Sequence, residues 1–181
     1  MADNFSDVTV DLGVQTPSAV IGLGIPAILV KATGDKPQAS LTKYSDIATL
    51  IAKYGDTSDV SKAVKTIFDQ SNRPDHVDII EYNDITTDVP AYWGDDWTFI
   101  LLATNTVADA TTLSLTVEQI GDKFAVVQVE KASDLASIGP QKWTIAMVLP
   151  YANGRLDAAV VGNVASLTVG SVNWKFRDVK D

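Results

Sequence analysis

The chain has 181 residues, 46% apolar and 20% charged, a balance that suits one globular domain with a packed core. It has no cysteine and one histidine, His76, which removes disulfides and thiol chemistry and leaves few ligands for zinc. Its net charge of −9 argues against nucleic acid as a partner, because such binding needs Lys and Arg to replace the counterions on phosphate.

From the N-terminus, residues 8–15 alternate strictly: Val8, Val10, Leu12 and Val14 face one way, Thr9, Asp11, Gly13 and Gln15 the other. That period of two predicts a half-buried strand, ended by the break Thr16-Pro17-Ser18. Residues 19–32 form an almost continuous apolar run interrupted by Gly22, Gly24 and Pro26. It is shorter than the roughly 20 residues that span a bilayer. A bent strand fits it, with Pro26 at a bulge or edge and Ala27–Val30 buried. A loop follows over Thr33–Gln38.

Two helices come next. Over Ser45–Tyr54, Ile47, Leu50, Ile51 and Tyr54 fall at helical spacing before Gly55. Over Ser58–Gln70, Val60, Ala63, Val64, Ile67 and Phe68 form a second stripe, with Thr57 or Ser58 as cap. His76–Tyr82 reads as a buried strand, Asp84–Pro90 as a loop rich in Asp and Thr, and Trp97–Ala103 as the strongest core strand. Residues 106–120 predict a helix carried by Leu113, Val117 and Ile120. Lys123–Val129 and Trp143–Leu149 are further strands. Arg155–Leu167 is a helix with Leu156, Ala159, Val160 and Val164 inward. At the end, Val172, Trp174 and Phe176 alternate with Asn173, Lys175 and Arg177, a last strand.

Strands alternating with helices predict an α/β fold: a three-layer domain on a mostly parallel sheet. The expected organisation is an N-terminal arm over 1–18, a core domain over 19–168 and a C-terminal arm over 169–181. The two terminal strands stand outside the alternating rhythm. Each either docks on its own domain or adds to the sheet of another molecule.

Charge is unevenly placed. No Lys or Arg occurs between Arg73 and Lys123, a stretch that includes Asp75, Asp78, Glu81, Asp84, Asp95 and Asp96. The alternatives are a solvated acidic face and an acidic surface that meets the basic flanks of another copy. Gly22-Leu23-Gly24-Ile25-Pro26-Ala27 carries a G-x-G, but more strand than helix follows, so no cofactor is expected. Asp95 and Asp96 read as a wet turn, and His76 as a structural or surface histidine. No catalytic or metal-binding group is expected, and the chain reads as a non-enzyme. Tyr92, Trp93 and Trp97 read as packing or, for Tyr92 and Trp93, as subunit contacts.

The order of several phrases resembles the tail sheath family of contractile phage tails. They are VTVDLGVQTPSAVIGLGIPAILV, then YSDIATLIAKYGDTSDVSKAVKTIFDQSNRPDHVDIIEY, GDDWTFILLAT and VVGNVASLTVGSVNWKF, spread from residue 8 to residue 176, so that the resemblance extends over nearly the whole chain. The second is similar to the family's helix pair, "N-x-R-P" turn and strand, the third to its aromatic-rich strand, and the last to its helix, Gly-Ser turn and "W-K-F" strand. Sheath subunits typically continue into a C-terminal domain beyond that strand, so the expectation is a short, sheath-like variant.

The resemblance implies a subunit that assembles with itself, in hexameric rings or a helical array, around a tail tube protein. Baseplate and tail terminator proteins would be further partners, and neither nucleic acid nor membrane would. Neighbours would be tied by arms that add strands, mapped here onto Val8, Val10, Leu12 and Val14 and onto Val172, Trp174 and Phe176. Contraction would be a rigid-body rearrangement. The implied location is the virion tail, with assembly in the host cytoplasm; Met1-Ala2-Asp3-Asn4-Phe5 lacks the basic start and apolar stretch of a signal peptide. The alternatives are another tail component (tube, connector or baseplate-proximal) and, in a different class, a small α/β enzyme or nucleotide binder. Tube subunits are generally all-β, so the helices at 45–54 and 58–70 separate that alternative.

Overall fold

The computed structural model describes residues 24–33 and 39–167. Among these residues six strands form one sheet: β1 (Ile25–Lys31), β2 (Ser40–Tyr44), β3 (Val77–Tyr82), β4 (Trp97–Leu102), β5 (Phe124–Val129) and β6 (Thr144–Val148). Their spatial order is β2-β3-β1-β4-β5-β6, and all pairs are parallel except β2 on β3. After β3 the chain crosses back over β1 to β4, so the strand order reverses between β1 and β4. This is the expected α/β domain.

Six α-helices among the described residues cover the sheet: α1 (Ile47–Tyr54), α2 (Asp59–Phe68), α3 (Ile85–Ala91), α4 (Val107–Ile120), α5 (Leu135–Ile138) and α6 (Leu156–Val164). The alternation of side chains along each strand divides the core in two. Ile28, Val77, Ile79, Leu101 and Val126 pack under α1, α2 and α6. Leu29, Ile80, Ile100, Leu102 and Val127 pack under α3, α4 and α5. Because both faces are covered, the central strands are mostly apolar, interrupted by buried Asp78 and Glu81 in β3 and Gln128 in β5.

The helix starts are set by short polar caps. Asp46 accepts from Thr49 N, Ser58 from Ser61 N and Thr106 from Asp109 N. Pro26 sits in a central strand, where its missing N–H would break a ladder, and the register with β4 shifts between Ile25 and Pro26 to accommodate it. Gly24, at φ +132°, leads into this bulge; a Cβ there would collide with the Thr98 side chain.

Three expectations change. Asp84–Pro90 is not a loop but most of α3: Asp84 caps it by accepting from Thr86 N, and the Asp88 carboxylate returns to accept from Asn83 N and Asp84 N. The Asp residues that suggested a loop are its capping groups, and only Ile85 and Val89 are buried. β2 is absent from the sequence reading because it lies at the edge and lacks clean alternation; Leu41 packs toward one face of the sheet and Tyr44 toward the other. Finally, α6 buries Ala158, Ala159, Val161 and Val164 while Leu156 and Val160 are half-buried, and Ile120 of α4 is exposed.

Candidate functional site

Of the residues predicted to form subunit contacts, Val8, Val10, Leu12, Val14, Val172, Trp174 and Phe176 lie outside the described residues. Tyr92 and Trp93 follow α3 and are half-buried against the α3–α4 core. The Tyr92 hydroxyl donates to Ala39 O at 2.5 Å and Trp93 Nε1 donates to Asp122 Oδ1 at 2.9 Å. The Trp93 ring meets buried Trp97 edge-on at 5.0 Å. Both polar handles are thus engaged within the chain.

At the amino edge of the sheet, His76 precedes β3 and Asp78 lies within it. Asp78 is 0% exposed, and neither carboxylate oxygen has a hydrogen-bond partner. His76 Nε2 stands 3.8 Å from Asp78 Oδ1, too long for a hydrogen bond. Burial raises the Asp78 pKa, only partly opposed by the charges of Lys43 and His76. Nearby, Lys123 Nζ donates to Trp97 O at 2.6 Å and sits 4.1 Å from the Trp97 ring centre, and burial lowers its pKa. Asp95 and Asp96 are exposed on the turn before β4. Gly24 opens a strand and donates to Ala165 O, so it does not open the helix that a dinucleotide fingerprint requires.

The most developed polar arrangement is at the carboxyl edge, where doubly wound sheets bind ligands. Arg155 and Asp157, at the start of α6, form a bidentate pair: Nε to Oδ1 and Nη2 to Oδ2, each 2.9 Å. The same guanidinium donates to Leu102 O at 2.7 Å and Ala103 O at 2.6 Å, which ties α6 to the end of β4. Asn105 Nδ2 donates to Asp157 Oδ2 at 3.1 Å. Gln128, fully buried in β5, donates from Nε2 to Leu149 O and Gly154 O and accepts from Asp157 N.

This scaffold backs a cavity of about 500 Å³, lined among others by Asp59, Lys62, Thr66, Thr104, Asn105 and Tyr151. That volume lies in the range of small-molecule pockets, roughly 300–1,000 Å³. The Tyr151 hydroxyl, which donates to Gln128 O, has its pKa pushed up to about 12 by burial and then by the charges of Glu130 and Asp157. Sequence reasoning missed this site. Two signals were present: a glutamine inside the apolar run Phe-Ala-Val-Val-Gln-Val, and Arg155-Leu156-Asp157 opening a helix.

The third feature is an edge. Among the described residues nothing pairs with the outer side of β6. Its sequence, Thr-Ile-Ala-Met-Val, has no charge and no proline, and Val148 is 40% exposed. Leu149 N donates to Val129 O and Trp143 O accepts from Ala125 N, so odd-numbered residues bond to β5. The backbone groups of Thr144, Ala146 and Val148 therefore point outward. The opposite edge, β2, carries Lys43.

No helix among the described residues is long and apolar enough to cross a membrane. Among the same residues, no three His, Asp or Glu side chains are gathered as metal ligands would be. No protein-family model matches this chain, and no curated protein matches its sequence.

Proposed function

We propose that the chain is a self-assembling structural subunit, a sheath-like component of a contractile phage tail or a phage-derived particle. The observation that carries this reading is the outer edge of β6. Native proteins blunt exposed edges with charge, proline, bulges or covering elements, and β6 itself has neither charge nor proline. Among the described residues nothing covers it, and an open edge is a template for strand addition, in which main-chain hydrogen bonds give affinity and alternate side chains give register. The alternating segments around Val8–Val14 and Val172–Phe176 have the pattern of donors for such an edge.

On this reading the chain's first partner is itself, in rings or a helical array around a tail tube, with baseplate and terminator proteins at the ends and the virion tail as its location. The phrase order shared with sheath proteins supports it. Helices α1 and α2 weigh against the alternative of an all-β tube subunit. Negative-stain electron microscopy of the purified full chain tests the proposal. Rings, tubes or sheets are expected; a monodisperse monomer at every concentration would refute it.

A further inference from the structure

The carboxyl-edge cavity has a one-sided hydrogen-bonding character. Three hydroxyls line it, and each has its proton committed to a group that can only accept: Thr104 Oγ1 to Asp59 Oδ2 at 3.0 Å, Thr66 Oγ1 to Lys62 O at 2.9 Å and Tyr151 Oη to Gln128 O at 2.9 Å. The Arg155 guanidinium spends its five N–H groups on Asp157, Leu102 O, Ala103 O and, at 3.5 Å, Asp59 O. Asn105 Nδ2 faces the Asp157 carboxylate, which fixes the amide orientation and leaves Oδ1 without a partner, although the residue is only 8% exposed. The lining is therefore rich in acceptors, and a complementary ligand brings donors.

Charge narrows the choice. Asp59 is balanced by Lys62 at 3.2 Å and Asp157 by Arg155 at 2.9 Å. The amino ends of α2 and α6 also face this edge and oppose a bare cation, while the surplus of acceptors opposes an anion. Lys62 keeps ammonium protons in excess of its bond to Asp59.

We propose that this cavity binds a neutral small molecule with adjacent hydroxyl groups, either a free monosaccharide or the ribose of a nucleoside. Its O–H groups donate to Asp59 and the threonine oxygens, and its oxygens accept from Lys62. The site is independent of the β6 edge and of the assembly reading.

Saturation-transfer difference NMR on the full chain tests this with ribose, glucose and adenosine, and with agmatine and inorganic phosphate as charged comparators. Saturable transfer to ribose or glucose identifies a sugar site, and transfer confined to adenosine identifies a nucleoside site; either supports the proposal. Asp59→Ala and Thr104→Val, both on the exposed rim, are expected to weaken binding at least tenfold. Absence of saturable transfer from all three hydroxylated probes overturns the proposal and assigns the cavity to water. So does preferential binding of agmatine or phosphate, or affinity unchanged in Asp59→Ala.

Discussion

A Cβ built on Gly162 of α6 would lie 2.7 Å from both Cα and the carbonyl oxygen of Ile67 in α2. The two helix backbones are therefore in direct contact, and the obstacle is main chain, which cannot rotate aside. In an open helix Gly→Ala stabilises by about 1 kcal/mol. Here overpacking, at about 1–3 kcal/mol, outweighs that gain. Gly162→Ala is expected to lower the chemical-denaturation midpoint, and an increase would show that the helices part at little cost.

Asp78 gives a pH dependence with a definite sign. Its folded pKa is raised above the ordinary 3.8 by burial, so the folded chain holds that proton more tightly than the unfolded chain. The stabilisation is complete below the unfolded pKa and is lost as pH rises through the folded value. Lys43, His76, Asp95 and Asp96 act on the group electrostatically, but none forms a hydrogen bond with its oxygens. Asp78→Asn should stabilise the chain at pH 7, by about 1–3 kcal/mol if the whole desolvation penalty is relieved, with little effect near pH 3. Urea titrations across that range check it.

The Arg155–Asp157 pair should behave as a unit. Removing one partner leaves a buried charge, at about 3–5 kcal/mol. Asp157→Ala is therefore expected to be severe, and Arg155→Met in the same chain should recover part of the loss. A double-mutant cycle measures the coupling. Additive effects would mean the two side chains act separately.

How much of this was legible in the sequence follows from which physics each element depends on. β1, β4 and β5 announce themselves because strands buried on both faces are mostly apolar runs, and β3 does so through Val77, Ile79 and Ile80 despite Asp78 and Glu81. α1 and α2 do so through a 3.6-residue stripe, ended by Gly55 in α1 and opened by the capping Ser58 in α2. β2 was illegible because Tyr44 owes its burial to β3, a partner 33 residues further on. α3 was hidden because Asp84 and Asp88, loop residues by composition, serve as caps. The carboxyl-edge site was invisible because it joins Asp59, Asn105, Gln128 and Arg155, distant in sequence and brought together only by the winding of the sheet.

Ala146 lies on the β6 edge, where its N–H points away from β5. Ala146→Pro should remove that donor without breaking the β5–β6 ladder, leaving a folded chain that no longer assembles. Sedimentation velocity with circular dichroism checks it. A variant that assembles like the parent would take β6 out of the interface, and the proposal would lose its main support.

Ionic strength probes the charge asymmetry separately. If the acidic stretch between Arg73 and Lys123 meets the basic flanks of a neighbour, association should weaken as salt rises, since exposed charges are screened beyond about 8 Å at physiological ionic strength. Salt-insensitive assemblies would place the affinity in backbone pairing and apolar contact alone.

The central claim is that the outward backbone of β6 pairs with a strand from another copy. Residue-resolved amide exchange at Ala146 and Val148, compared between assembled and dissociated protein, tests it most directly. Intermolecular strand pairing requires slow exchange at both amides in the assembly and exchange near solvent rates after dissociation. Fast exchange at both in an intact assembly, or a chain that never assembles, would contradict it.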